Sequence, residues 1–319
     1  MSIQVLRGIP PARHRAPCVL TIGNFDGVHR GHQSLLARVV ADARALGVVP
    51  ALMTFEPHPR EFFAPQRAPA RISNLRDKIE ALAACGIERV FVQHFGQRLA
   101  ALEADRFIDE FLVGGCAARR VVVGGDFRFG ARRAGDVELL RRRGASGGGF
   151  DVAEIETVSD GGERISSSAV REALLAGDLP RASRLIGRPY VVSGRVLHGA
   201  KLGRQIGFPT LNLRIGARRP ATQGIFAVRV HGVAPRAMAG VASVGVRPTV
   251  DDSGRWLLEV HVFDFARDIY GDLVRIEFAS RLRDEEKYAT IDELTAAIRR
   301  DAQRARAELA RAGAPGDTR

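Results

Sequence analysis

The stretch CVLTIGNFDGVHRGHQSLLARVVADARAL, residues 18–46, decides the fold of the first half of the chain. CVLTIG (18–23) is short, apolar and partly β-branched, which predicts a strand. SLLARVVADARAL has the spacing of an amphipathic helix. Between them lie a glycine turn and two histidines three positions apart, His29 and His32, around Gly31. α/β proteins place phosphate chemistry where a strand ends and a helix begins, because unpaired helix N–H groups point outward there.

Outward from that corner, short apolar runs alternate with helical patterns. Strands are predicted at 18–23, 48–55, 88–93, 119–124 and 150–157, and helices at 33–46, 74–85, 104–113 and 135–143. The alternation predicts a doubly wound parallel sheet with helices on both faces. A further helical segment, SSSAVREALLAGDLPRASRLIG, ends at Gly187. The pattern then changes. YVVSGRVL, FPTLNL, GIFAVRV, AMAGVASVGV, WLLEVHVFDF and LVRIEFA read as six strands separated by turns, which predicts an antiparallel barrel. A helix over about 290–311 closes it. The expected domains are 1–186 and 187–311, with a disordered tail at 312–319.

The 319 residues suffice for two such domains, and 45% of them are hydrophobic. The net charge of +12 points to a polyanion. Only three of the 48 basic residues are lysines, however, and the arginines are scattered among alanines and glycines. Compositional bias and a phosphate-rich substrate explain this as well as nucleic acid does. Cys18, Cys85 and Cys116 form neither a disulfide framework nor a C-x-x-C pattern and read as buried apolar residues in a reduced, cytoplasmic protein. The N-terminus lacks the apolar core of a signal peptide, and no apolar run approaches membrane-spanning length.

Two stretches carry candidate chemistry in the first half. His29 and His32 can donate hydrogen bonds to charge building on a phosphate. They can equally cap the helix or bind a metal. In RISSSAVREALLAG (164–177), Ser167 and Ser168 fall four and three positions before Arg171, hence on one helical face, with Arg164 upstream. Hydroxyls, backbone N–H groups and guanidinium groups together suit a triphosphate, although serines at a helix start are also ordinary N-caps.

Two more lie in the second half. GRVLHGAKLGRQIGFPTLNL (194–213) combines four glycines with Lys201 and Arg204, a basic loop suited to phosphates but without the Walker A pattern. Thr210 and Asn212 share one strand face and offer two oxygens suited to Mg²⁺. In RWLLEVHVFDF (255–265), Leu258, Val260 and Val262 alternate with Glu259 and His261.

GNFDGVHRGHQSLL, TFEPHP, VVGGDFRFG and ISSSAVREALLAGDL, in that order, resemble the adenylyltransferase module of bacterial bifunctional riboflavin kinase/FAD synthetases, within the H-x-G-H nucleotidyltransferases. The run from LHGAKLGRQIGFPTLNL to LLEVHVFDFARDIYGDLVRIEFASRLRDEEKY resembles the riboflavin kinase module of the same family. The resemblance implies that His29 and His32 stabilise transfer at the α-phosphate of ATP. Gly23, Asn24, Phe25, Gly31, Arg164, Ser167, Ser168 and Arg171 would hold that nucleotide. Pro57, Pro59, Phe62, Asp126, Phe127 and Phe129 would lie at the flavin ring, with Gly125 removing one side chain there.

For the kinase, the resemblance implies Glu259 as general base and Lys201, Gly203, Arg204, Gly207, Pro209, Thr210 and Asn212 as ATP site. Thr210 and Asn212 would also be the Mg²⁺ ligands, and Arg283 would lie near the flavin. The turn Arg267–Tyr270 departs from the family pattern and reads as remote from the chemistry. Riboflavin, FMN, FAD and ATP are the implied small-molecule partners, with neither nucleic acid nor membrane. Two rivals stay open. One is another H-x-G-H adenylyltransferase, which would not need the barrel. The other is a basic nucleic-acid-binding regulator on a degenerate enzyme scaffold. Loss of one of the two activities is a further alternative.

Overall fold

The computed structural model describes residues 3–156, 158–198, 203, 206–215, 219–246 and 256–311. The chain divides into two compact units, one of residues 1–69 and 78–166 and the other of 70–77 and 167–319.

The first unit is built on six strands: β1 (Gln4–Arg7), β2 (Cys18–Ile22), β3 (Val49–Glu56), β4 (Arg89–His94), β5 (Ala118–Gly124) and β6 (Asp151–Ile155). They form one sheet in the order β1-β4-β3-β2-β5-β6, and every pairing is parallel. All five residues of β2 are buried, as a central parallel strand covered on both faces requires. Its neighbours α1 (Arg30–Leu46), α2 (Pro59–Phe63), α3 (Leu75–Ala84), α4 (Gln97–Ala100), α5 (Ala104–Phe107) and α6 (Val137–Arg143) fill the crossovers. Residues of α3 up to Asp77 group with the second unit.

Alternation along the strands sets the two faces. Cys18, Leu20, Ile22, Met53, Phe91, Val121 and Val123 join Phe107, Ile108, Leu112, Val137 and Leu140 in one core cluster. α1 packs against β2, β3 and β5, burying Leu36, Val39 and Ala43. Each fully buried aliphatic side chain stabilises by about 1.5–3 kcal/mol. β6 is followed by a two-stranded hairpin, β7 (Ser159–Asp160) and β8 (Glu163–Arg164).

In the second unit, α7 (Ser167–Ala176) and α8 (Leu179–Ile186) precede a closed barrel. Its strands are β9 (Val191–Leu197), β10 (Leu211–Arg214), β11 (Gly224–His231), β12 (Met238–Val246), β13 (Trp256–Val262) and β14 (Leu273–Arg283). Their order is β10-β13-β12-β11-β14-β9, and the β9–β10 pairing closes the ring. α9 (Ile291–Arg311) lies on β11, β12 and β14, where Ala302, Ala305 and Leu309 meet Ala227, Val241, Phe263 and Leu282.

Parallel sheet, barrel and closing helix are as expected from the sequence. Two details differ. β1 extends the sheet by an edge strand that the N-terminal composition did not suggest. The segment read as one helix before Gly187 is two, broken at Gly177 with φ 76° and restarted by Asp178, whose carboxylate accepts from Arg181 N at 2.9 Å. The compact units part at Ser166–Ser167, so α7 and α8 group with the chain of the barrel. α7 belongs with the barrel's chain, where the buried Thr222 hydroxyl donates to Leu174 O at 3.1 Å. Residues 70–77 join it through Arg71, paired with Pro220, and Asn74, which donates to Ser193 O at 2.9 Å. The expected tail at 312–319 lies outside the described residues.

Candidate active sites

In the first unit, β2 delivers the chain into a turn of unusual backbone. Phe25, Gly27 and Val28 have φ of 48°, 83° and 42°. A β-branched residue in that region is a strained outlier. Surrounding bonds hold it. Thr54 donates to Asn24 O at 3.2 Å, and Gln33 donates to Val28 O at 2.9 Å. Asn24 Oδ1 is buried and meets no hydrogen-bond partner among the described residues. Such an atom is costly unless something outside the chain satisfies it.

His29 is the N-cap of α1, 6% exposed, and its Nδ1 accepts from His32 N at 3.3 Å. The capping reading and the chemical one therefore coexist. With Nδ1 accepting, the neutral ring carries its proton on Nε2. The His29 and His32 rings stack with centroids 3.6 Å apart, and Phe25 lies 4.7 Å from His32. Gly31 is close-packed: a Cβ there would meet the His29 ring and Ile165 O at 3.2 Å. Phe25 packs beside Gly23, whose Cβ would meet its ring at 3.0 Å.

Further residues of this unit gather along the same strand ends. Arg30, between the two histidines, pairs with Asp160 of the β7–β8 hairpin at 2.5 Å. Arg164 pairs with Asp126 at 3.0 Å, joining a residue expected at ATP to one expected at the flavin. Pro57 follows a cis peptide bond. His58 caps α2 by accepting from Arg60 N at 3.1 Å while Glu61 accepts from His58 N, and Pro59 begins the helix. The histidine of TFEPHP is thus part of a capping box. Phe62 stands edge-on to Phe63 and Phe95 at 5.3 and 5.8 Å. Phe127 stacks on Phe129 at 5.5 Å, and Phe129 is buried against Phe107. At Gly125 a Cβ would meet the Glu154 carboxylate at 2.2 Å, so Glu154, held by Arg141 at 2.8 Å, occupies the space of the missing side chain. Lys78 is buried beneath this corner, its ammonium 3.5 Å from Glu56 and 3.4 Å from the Thr54 hydroxyl. Sequence reading missed Lys78 and Arg30, because neither one's partner is near in sequence.

In the second unit, α7 carries Ser167, Ser168 and Arg171, and the Arg171 Nε donates to Ala70 O at 2.7 Å. On the barrel, Asn212 of β10 lies opposite Glu259 of β13, and Glu259 lies opposite Ser243 of β12. Directly opposed residues share a face, so the three form one row. That row faces away from the barrel interior, since Leu213, Leu258 and Val244 fill the inside. Ser243 donates to Glu285 at 3.0 Å. Ser243 and Glu285 carried no signal in the sequence: the register brings Ser243 beside Glu259, and Ser243 holds Glu285. Asn212 is 6% exposed, and its amide donates to Thr210 O at 3.3 Å. Thr210 and Pro209 precede β10. Gly207 has φ 85°, and Gly203 sits against Phe208, whose carbonyl a Cβ would meet at 2.3 Å. Lys201 and Arg204 lie outside the described residues. Arg283 is gripped by the 8%-exposed Asp301 through Nε at 2.9 Å and Nη2 at 2.6 Å. Tyr270 stacks on His198 at 3.8 Å, so the divergent turn touches the residue that follows β9.

Some of the arginines that raised the question of nucleic acid are ion-paired. Arg128 pairs with Asp136, Arg141 with Glu154, and Arg143 with Asp105 and Asp109. Cys18 and Cys116 are buried, and burial pushes the Cys18 thiol up to about 12. Among the described residues, no helix is long and apolar enough to cross a membrane.

Comparison with known proteins agrees with this arrangement. The FAD synthetase family profile matches residues 12–169 and the riboflavin kinase profile residues 186–309. The bifunctional riboflavin kinase/FMN adenylyltransferase of Escherichia coli K12 is 46% identical, over 91% of this chain and 92% of its own. That of Pseudomonas fluorescens is 45% identical, over 96% and 97%. A solved structure titled a macrolide-efflux protein, from Streptococcus pneumoniae, superposes with a TM-score of 0.74 at 29% identity, over 95% of this chain and 99% of its own. With both profiles in the same order as the two folds, and relatives matched from end to end, the chain belongs to the bifunctional riboflavin kinase/FMN adenylyltransferase family.

Proposed function

We propose that the two activities of this family are carried by the two groups of residues described above, in domains at 1–186 and 187–311. The chain is a riboflavin kinase and an FMN adenylyltransferase. It converts riboflavin and ATP to FMN and ADP, and FMN and ATP to FAD and pyrophosphate.

For adenylyl transfer, an FMN phosphate oxygen attacks the α-phosphorus of ATP and pyrophosphate leaves. No protein nucleophile is needed, so catalysis is positioning and charge stabilisation. His29, donating through Nε2, and His32 stabilise the developing charge. Gly23, Asn24, Phe25 and Gly31 shape the nucleotide loop, and a ligand donor would satisfy Asn24 Oδ1. Ser167, Ser168, Arg171 and Arg164 hold the phosphates that depart. Pro57, Pro59, Phe62, Asp126 and Phe127 meet the flavin, with Phe129 supporting Phe127 from the core.

For phosphoryl transfer, Glu259 takes the proton of the ribityl 5′-hydroxyl as it attacks the γ-phosphorus. Lys201, Gly203, Arg204, Gly207, Pro209, Thr210 and Asn212 hold ATP, and Arg283, fixed by Asp301, supports the flavin side. The Thr210 hydroxyl and Asn212 carbonyl are neutral oxygen donors at alternate positions, a set that fits a hard cation. They would hold Mg²⁺, which when bound neutralises phosphate charge. We place both activities in the cytoplasm.

The observation that carries this reading is the stacked histidine pair at the N-terminus of α1, backed by the buried Asn24 Oδ1, which has no partner among the described residues. The test supplies FMN, ATP and Mg²⁺ and follows FAD and pyrophosphate. Equimolar products are expected from the native chain, and a loss of at least about 100-fold from His29→Ala, the usual scale for a charge-stabilising donor. Unimpaired FAD formation by His29→Ala would remove the histidine pair from the reaction.

A further inference from the structure

His261 shares a strand face with Glu259, and neither activity gives it a role. Its Nδ1 lies 2.8 Å from Pro209 O. A carbonyl can only accept, so Nδ1 carries the proton and His261 is the donor. The ring is fixed on two sides. Phe208 meets it edge-on at 5.2 Å and Phe263 at 5.7 Å, and Phe263 is buried in the cluster beneath α9. The bond spans 52 residues of sequence, and it falls on the peptide between Pro209 and Thr210.

Among the described residues, little else holds that peptide. Pro209 has no N–H, and Thr210 precedes the first paired residue of β10, Leu211. The preceding turn is close-packed, with Phe208 N donating to Gly203 O at 2.7 Å. The Pro209 carbonyl is thus where β13 grips the turn from which the Thr210 side chain projects. Two residues further along the chain, Asn212 is already held opposite Glu259 by the ladder. One strand, β13, therefore presents the general base and fixes the backbone of a phosphate-binding residue.

We propose that His261 is a positioning residue of the kinase reaction: its Nδ1–H clamps the Pro209–Thr210 peptide and so sets the Thr210 hydroxyl relative to Glu259. The proposal rests on the reading of Thr210 as part of the ATP site. It assigns His261 no contact with substrate. A displacement of about 1 Å at a positioning group can cost on the order of 100-fold in rate.

The test is a substitution series at His261 in the full-length chain, with Thr210→Ala in parallel. His261→Asn places an amide N–H near the position of Nδ1, whereas His261→Gln places it near Nε2, and His261→Ala removes it. In riboflavin phosphorylation, His261→Ala and His261→Gln are expected to lower kcat/KM for ATP by about 10- to 100-fold, with KM for riboflavin changed less than about twofold. His261→Asn should recover most of that loss. Conversion of supplied FMN to FAD should stay at the native rate in all three, which also reports that the chain is folded. The proposal is overturned if His261→Ala keeps native kinase kinetics, if Asn is no better than Gln, or if the KM values for ATP and riboflavin rise together. If Thr210→Ala leaves kcat/KM for ATP unchanged, the underlying reading of the ATP site fails instead.

Discussion

At the scale of single residues, several side chains do two jobs, and the jobs can be separated. His29 caps α1 and is assigned a donor role. Losing a cap costs about 1 kcal/mol, whereas losing a charge-stabilising donor costs about 100- to 1,000-fold in rate. His29→Asn, which keeps a capping acceptor, should therefore melt close to the native protein yet make FAD at least about 100-fold more slowly. Native-like melting and native activity together would show that capping is all His29 does. The cysteines give a simpler expectation. Cys18 and Cys116 are buried with raised thiols, and Cys85 is partly exposed. Alkylation of the folded chain should add one label, at Cys85, and three after denaturation. Labelling of Cys18 in the native state would contradict the tight packing of β2.

At the scale of elements, short-range signals are legible in the sequence and long-range ones are not. Periodicity places β2 to β6, the barrel strands and α9, because each is written in adjacent residues. The edge strand β1 escapes it because four residues with an exposed outer pattern carry little alternation. The row Asn212–Glu259–Ser243 depends on register between strands far apart in sequence, so only its first two members could be named. The start of α6 lends itself to a pH test. Asp136 accepts from Leu139 N at 2.9 Å and pairs with Arg128. The Leu139 N–H, then the arginine, hold its carboxyl below the ordinary range. A depressed carboxyl stabilises the fold above its unfolded pKa and loses that contribution as pH falls through the folded one. Asp136→Asn keeps a good cap without a charge. Between about pH 6 and pH 3 its melting temperature should fall less than that of the native chain, and an equal fall would exclude Asp136 from the acid response. For α9, the grip of Asp301 on Arg283 is the comparable anchor, since the acid is nearly buried and bidentate. Asp301→Ala should destabilise the barrel by about 1.5–3 kcal/mol, the scale for losing hydrogen bonds to a charged group, and calorimetry would detect it.

At the scale of the molecule, a parallel α/β sheet and a closed antiparallel barrel are written in one chain with two different hydrophobic periods. That contrast alone makes the two-fold architecture readable from the order of the residues. The division at Ser166–Ser167 is not readable in the same way, because the helical pattern of α7 and α8 says nothing about which neighbours it buries against. The net charge of +12 looks like a polyanion signal, but some of the arginines, Arg128, Arg141 and Arg143 among them, are engaged by carboxylates, which a sequence cannot display. The central claim is that two separate groups of residues perform two successive reactions. The most direct measurement supplies riboflavin, ATP and Mg²⁺ to His29→Ala, to Glu259→Ala and to an equimolar mixture of the two, and separates the flavins by chromatography. The first should stop at FMN, the second should leave riboflavin unchanged, and the mixture should make FAD. A mixture that makes no FAD, or either variant making FAD from riboflavin alone, would contradict the account.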